Sequence, residues 1–381
     1  MKVLFFKWNA NIENRITEAF NHLNGFYVSE FIQPIIRDYK FDPVLMKELI
    51  FSIHKEKYDC IFSVNFFPFL SEVANITNIR YYSWLQDSPC LTLYYDCINY
   101  DCNIIYSFDS SECQRLKMRT NANIHYLPLA SDYAYWANKI HNSKYTAEEV
   151  ICFLGSSYKD TYYDTANELT DYEQGYYEAL INIGKQIYGP AIIENSISTS
   201  KAMTLLSKCH IDIPRDSIMT SKELGSYVLE QKLSAIQRQQ LLLAIADKYP
   251  VHVYSKTNDW NHPNIIFKGY ADYENQMPII FNKSAINLNF TLRSIHSGIP
   301  LRVLDVLACK GFLISNYQSD IAEAFNNDEI VLFDSENDLL EKTDYYMKHT
   351  DERRRISQNG YEKVSKYFTY EHQLNIIFSR Y

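Results

Sequence analysis

The chain alternates short apolar runs with longer stretches whose apolar residues return every three to four positions. Val3–Phe6, Phe31–Ile36, Asp59–Val64, Arg80–Trp84, Asn103–Ser107 and Ile124–Leu127 read as strands. Between them, Asn11–His22, Pro43–Lys55, Pro68–Asn75 and Ser110–Met118 read as helices, the last with Asp109 or Ser110 in capping position. Alternation of this kind predicts a parallel, doubly wound sheet. The polar stretch Ala137–Glu149 reads as a linker, after which the pattern restarts. Val150–Leu154, Val251–Tyr254, Ile265–Phe267, Ala285–Asn289, Phe312–Ser315 and Ile330–Phe333 form a second set of strands. The interval from Tyr158 to Leu243 reads as mostly helical, broken near Gly189-Pro190 and Ile213-Pro214. Asp351–Phe368 predicts a helix with one charged face, and Tyr370–Arg380 a last helix.

Composition narrows the function classes. With 381 residues, 46% of them apolar, the chain can fill two separate cores. A net charge of −9 without a basic stripe argues against a general nucleic-acid binder. The eight cysteines form no paired CxxC and mostly lie in apolar surroundings, so reduced, buried thiols are expected. The start, MKVLFFKWNANIENR, lacks the apolar core and small-residue cleavage site of a signal peptide, and no run reaches the roughly 20 apolar residues that a membrane span needs. A cytoplasmic location is expected. The abundance of Tyr (32) beside the scarcity of Gly (10) fits an AT-rich coding bias, so it is not taken as a sugar-stacking face.

The stretch INLNFTLRSIHSGIPLRVLDVLACKGFLIS, from Ile286 to Ser315, reads as strand, polar loop, helix, Gly turn and strand. Its loop, Thr291–Pro300, holds Arg293, His296, Ser297 and Gly298 just ahead of a helix carrying Arg302 and Asp305. A helix N-terminus offers unpaired amides and partial positive charge to a phosphate. Arginine adds a planar fork for the same oxygens. Asp305, about two turns further on, would accept hydrogen bonds from a ribose diol or remain a solvated acid. These parts suit a nucleoside diphosphate; His296 has no assigned role.

SGIPLRVLDVLACKGF resembles the C-terminal nucleotide-sugar motif of two-domain GT-B glycosyltransferases, most closely the CgeB-like branch. SVNFFPFLSEV, SWLQDSP and HYLPLASD resemble the N-terminal half of the same branch. The resemblance implies two Rossmann-like, doubly wound domains facing a central cleft. An acceptor-side domain would span 1–147, rejoined by the C-terminal helix 370–381, and a nucleotide-sugar domain 148–369, with a helical insertion near 158–243. Many members of the wider group carry two Glu separated by seven positions, the second holding the donor ribose. Asp305 matches the second acid. Ser297 stands where the first would be, a departure from the pattern.

Other candidates sit at strand ends. Asp87, in SWLQDSP, follows a strand, where ligands of open parallel sheets collect, and would deprotonate or hold an acceptor hydroxyl. Its plain alternative is an Asp-Ser-Pro turn. Gly155 and Ser156 follow VICFL and would meet a diphosphate through backbone amides. Lys256 would neutralise phosphate or remain a solvated loop lysine. Tyr270 would stack near the base or pack internally. Asn289 and Arg293 would flank sugar and phosphate; Arg293 and Arg302 have surface ion pairing as their alternative. No Asp-x-Asp at a strand end, HExxH or paired-Cys pattern calls for a metal, and the resemblance implies metal-independent chemistry. The first loop, Lys7 to Asn11, has no GxGxxG, which speaks against a nicotinamide cofactor.

The expected activity is transfer of a sugar from a UDP- or GDP-sugar to a hydroxyl acceptor, with the nucleotide sugar, UDP-linked by preference, as co-substrate and no further cofactor. The resemblance suggests a glycan or protein acceptor, such as a surface polysaccharide, a spore-coat component or flagellin. A nucleotide-sugar epimerase of the same fold and an inactive nucleotide-sugar-binding subunit are the alternatives, the second because of Ser297. A DNA glucosyltransferase would need a basic cleft.

Overall fold

The structure, a computed structural model, describes residues 1–143, 148–189 and 191–379. The chain divides into two compact units, residues 1–130 with 214–219 and 368–381, and residues 131–213 with 220–367.

In the first unit the elements run β1 (Lys2–Lys7), α1 (Glu13–His22), β2 (Tyr27–Ile32), α2 (Pro43–Glu56), β3 (Cys60–Val64), α3 (Pro68–Thr77), β4 (Arg80–Trp84), β5 (Asn103–Ser107), α4 (Ser110–Arg119) and β6 (Ile124–Tyr126). The strands form one parallel sheet in the order β2-β1-β3-β4-β5-β6. Every residue of β3 is buried, because helices cover both faces of a parallel sheet. Asp42 starts α2 by accepting from the amides of Val44 and Leu45, with Pro43 at the first helical position, where it costs no hydrogen bond. The glycine-free first loop is closed by Glu13, whose carboxylate accepts from the amides of Trp8 (2.8 Å) and Asn9 (3.0 Å).

The second unit runs α5 (Tyr133–His141), β7 (Glu148–Leu154), α6 (Asp171–Gln186), α7 (Ile192–Ser196), α8 (Thr199–Lys208), α9 (Ser221–Ala246), β8 (Val251–Tyr254), β9 (Ile265–Gly269), α10 (Met277–Lys283), β10 (Ser284–Asn289), α11 (Leu301–Ala308), β11 (Leu313–Asn316), α12 (Ser319–Ala324), β12 (Val331–Phe333), α13 (Glu336–Lys348) and α14 (Thr350–Tyr367). Its parallel sheet has the order β12-β11-β10-β7-β8-β9. One core joins Ile151, Phe153, Ile286, Leu288 and Ile314 of the strands with Leu241, Leu242 and Ile245 of α9. The Gly turn of the quoted motif works by closeness. Lys310 takes the left-handed conformation (φ 56°), while a Cβ on Gly311 would stand 2.7 Å from the Phe281 carbonyl oxygen. The last helix, α15 (Tyr370–Phe378), returns to the first unit, where Phe378 packs on Phe20, Phe62 and Tyr82. Arg380 and Tyr381 of the expected helix 370–381 lie outside the described residues.

Three readings are corrected. The units part at Ala130/Ser131 rather than at 147, and residues 137–141 of the supposed linker belong to helix α5, started by Asp132 accepting from the Tyr135 amide; residues 144–147 lie outside the described residues, as does Pro190 of the Gly-Pro break. The second strand is 27–32, not 31–36, because the later window contains Pro34, which has no N–H for the ladder. Residues 214–219 group with the first unit: the Ile218 amide and Ser217 Oγ donate to the Tyr94 carbonyl at 2.9 and 3.0 Å. Among the described residues no helix is long and apolar enough to cross a membrane.

Candidate functional site

The second sheet reverses its winding between β7 and β10: β8 and β9 extend one way from β7, and β11 and β12 the other way from β10. Open parallel sheets bind ligands beyond the carboxyl ends of the strands at such a switch point. The loops concerned start at Gly155 and Phe290. Arg238 of α9 ties them together. Its Nη1 donates to the Ser156 carbonyl (2.8 Å), and Nε and Nη2 donate to the Phe290 carbonyl (3.1 and 2.6 Å). The guanidinium also lies 4.6 Å from the centroid of the Tyr158 ring. Burial pushes its pKa down from the ordinary arginine value, and Tyr158 opposes the shift; arginine stays charged throughout.

The loop after β7 is set by close packing. A Cβ on Gly155 would sit 3.1 Å from the Phe153 ring, and the Gly155 amide donates to the Tyr254 carbonyl (3.0 Å), so it belongs to the ladder and not to a ligand. Ser156 is exposed, and Tyr158 turns into the left-handed region (φ 54°). Beyond β8 and β9, the exposed Lys256 holds its Nζ 5.8 Å from the centroid of the Tyr270 ring. Tyr270 is 60% exposed, which removes the packed alternative. Gly269 before it has φ 78°, a conformation that favours glycine. Thus Ser156, Lys256 and Tyr270 are all open to solvent at the carboxyl edge.

The polar residues of the motif are placed otherwise. Asn289 is buried, with Nδ2 donating to Thr291 Oγ1 (3.0 Å) and Ser315 Oγ (2.9 Å). Arg293 donates through Nη2 to the carbonyls of Gly184 (3.0 Å) and Ile187, closing the end of α6, and stacks 4.5 Å from the Tyr188 ring; burial lowers its pKa. His296 Nε2 meets Glu230 Oε1 at 3.0 Å. Ser297 is 2% exposed and donates to Asp320 Oδ2 (3.2 Å). Gly298 is buried. In this structure the side chains of Asn289, Arg293 and Ser297 hold the loop, and Gly298 is buried within it.

The same holds for Asp305. It is 2% exposed, and its Oδ1 accepts from Ser131 Oγ (2.8 Å) while Oδ2 accepts from the Tyr273 hydroxyl (3.1 Å). Trp136 Nε1 in turn donates to Ser131 Oγ (3.0 Å). Burial raises the Asp305 pKa to about 6, against the opposing effects of Arg302 and the two hydroxyls. The acid links α11 to the start of α5 and to Tyr273, and both of its oxygens serve these contacts. Its alternative, a solvated acid, is ruled out by burial. Arg302, in the first turn of α11, lies 5.2 Å from the Phe281 ring with Nη1 buried and unpartnered among the described residues. No side chain caps α11 at Pro300.

In the first unit, Asp87 follows β4 and keeps solvent exposure. Asn65, in the left-handed region (φ 62°) at the end of β3, donates through Nδ2 to Asp87 Oδ2 (2.7 Å). Its Oδ1 accepts from the amides of Gln86 (2.7 Å) and Asp87 (3.2 Å). Desolvation pushes the Asp87 pKa above the usual carboxylate value, and the Asn65 bond opposes it. Sequence reading missed Asn65 and Arg238. For Arg238 a signal existed: it stands four residues from Ser234 and from Leu242 on the buried face of α9, where a lone guanidinium needs buried acceptors.

Two six-stranded parallel sheets with flanking helices, each wound as a Rossmann-like domain, define the GT-B glycosyltransferase fold. Residues 237–379 match the family described as glycosyl transferase-like. The chain is 22% identical over 166 residues to the spore protein CgeB of Bacillus subtilis (strain 168), a match covering 44% of this chain and 46% of that protein, so it spans less than half the length of the curated relative. Sucrose-phosphate synthase from Thermosynechococcus elongatus superposes with a TM-score of 0.59 at 10% identity, over 100% of this chain and 98% of that one. Anabaena HepE, solved in complex with UDP-glucose, gives 0.53 at 11% identity, over 100% and 99%. At these identities the likeness is one of fold. The glycosyltransferase resemblance carried by SGIPLRVLDVLACKGF holds, and that segment lies inside the matched residues.

Proposed function

We propose that this protein is a glycosyltransferase that moves a sugar from a nucleotide-sugar donor, a UDP-sugar by preference, to a hydroxyl of a glycan or protein acceptor. The observation that carries the reading is the Arg238 strap, which fixes the two loops beside the switch point; Arg238 and the Phe290 loop lie within the residues that match the glycosyl transferase-like family. The neighbour solved with UDP-glucose supports a uridine donor. Exposed Lys256 and the uncapped start of α11, beside Arg302, supply positive potential for the diphosphate. Tyr270 is assigned to the base, and the Ser157 amide to a phosphate oxygen.

In the reaction the bond from the anomeric carbon to the diphosphate oxygen breaks, and a bond to the acceptor oxygen forms. The acceptor proton passes to a base, and the nucleoside diphosphate leaves with its charge stabilised by cations and amides. Asp87, exposed and oriented by Asn65, is assigned to the acceptor hydroxyl. Calorimetric titration with UDP, UDP-glucose and GDP-mannose tests the donor site. Binding of one nucleotide family, weakened by Lys256→Ala, is the expected result; absence of binding to all three at millimolar concentration sinks the reading.

A further inference from the structure

At the opposite edge of the second sheet, where β7 and β10 begin, lies a cavity of about 320 Å³. Lys283, Lys310, Arg353 and Arg354 line it, with Glu149 the one carboxylate among its lining residues. Four cations around one cavity are not a consequence of composition in a chain of net charge −9. Glu149 pairs with Arg353 at 2.8 Å and offsets one of the four charges, which leaves the group net positive. Arg353 is 4% exposed and is held further by the Tyr346 carbonyl and by Thr350 Oγ1 (3.2 Å). Arg354 meets Asp351 only at 3.5 Å, with both side chains exposed.

The two lysines stand apart from these pairings. Among the described residues neither the Lys283 nor the Lys310 ammonium has a hydrogen bond or an ion pair; Lys310 rests over the Tyr361 ring at 4.4 Å. Thr350 opens α14, so the positive end of that helix adds to the same field. Like charges held around one cavity repel, and an anion placed among them relieves the repulsion. We propose that this cavity binds a small, multiply charged anion of the phosphate or polycarboxylate type, at a site separate from the carboxyl-edge loops. The proposal does not depend on the glycosyltransferase reading.

Titration calorimetry at low ionic strength, with inorganic pyrophosphate and with citrate, tests it. Lys310 is exposed and Lys283 half-buried with no side-chain hydrogen bond, so the double variant Lys283→Ser/Lys310→Ser should unfold near the wild-type temperature while binding about tenfold more weakly or worse. Glu149→Gln, which withdraws the competing carboxylate, should tighten it. The proposal is overturned if the wild type binds neither anion at millimolar concentration, or if the double variant binds as the wild type does.

Discussion

Arg238 grips the Phe290 carbonyl oxygen with two nitrogens, Nε at 3.1 Å and Nη2 at 2.6 Å, and spends its third on Ser156. One side chain thereby sets the spacing of the loops that follow β7 and β10. Arg238→Met keeps the apolar stem and removes all three bonds. Leaving the buried Phe290 acceptor unpaired should cost about 1–3 kcal/mol of stability, and UDP-glucose affinity should fall by about tenfold or more. Chemical denaturation and titration calorimetry read the two effects. Affinity kept at the wild-type level would show that the loops do not depend on the strap.

Lys256 and Tyr270 are exposed, so alanine at either position should change stability by about 0.5 kcal/mol or less. Donor affinity should drop about five- to tenfold for Lys256→Ala, through the lost charge on the diphosphate, and similarly for Tyr270→Ala, through lost stacking. The Lys256 effect should shrink as salt is added. An affinity change that comes with a lowered melting temperature would assign these residues to the fold.

Asp305 predicts a pH dependence of stability. Its folded pKa, about 6, lies above the ordinary 3.8, so the folded state binds a proton that the unfolded state has lost. That contribution is fully present below the unfolded pKa and disappears as pH rises through about 6. Asp305→Asn removes the titration. Relative to wild type, the variant should therefore gain about 1–3 kcal/mol as pH rises from about 4 to about 7. Its donor affinity should stay within about threefold of wild type, because the carboxylate serves Ser131 and Tyr273. A large loss of affinity at unchanged stability would restore the ribose contact.

Asp87→Asn should leave unfolding and donor binding intact and lower transfer about 100-fold or more, as loss of a general base does. In the wild type the rate should fall with decreasing pH through a value above the usual carboxylate pKa, since desolvation raises Asp87. Asn65→Ala frees the Asp87 loop and should lower the rate while leaving donor affinity unchanged. Transfer by Asp87→Asn at the wild-type rate would remove the acid from the mechanism.

Most strands were legible because buried parallel strands are short apolar runs: β4, β5 and β8 begin and end where the pattern places them. Strand β2 was displaced because an edge strand alternates, so YVSEFI carried less signal than the apolar FIQPII. Helices α10, α12 and α13 went unread, being short or rich in polar residues. The site was legible as a place and not as a set of contacts. Sequence gives residue types in a loop, but whether Arg293 faces a phosphate or the carbonyls of Gly184 and Ile187 depends on α6, more than a hundred residues away. Asp305 shows the same limit, since its partner Ser131 stands 174 residues earlier.

Hydrogen–deuterium exchange with and without saturating UDP-glucose locates the donor directly. Slowed exchange should appear in peptides covering 155–159, 255–259, 269–273 and 290–303, the carboxyl-edge loops and the start of α11. Protection confined to other segments, or no change at ligand concentrations that saturate calorimetric binding, would contradict a nucleotide-sugar site at the switch point.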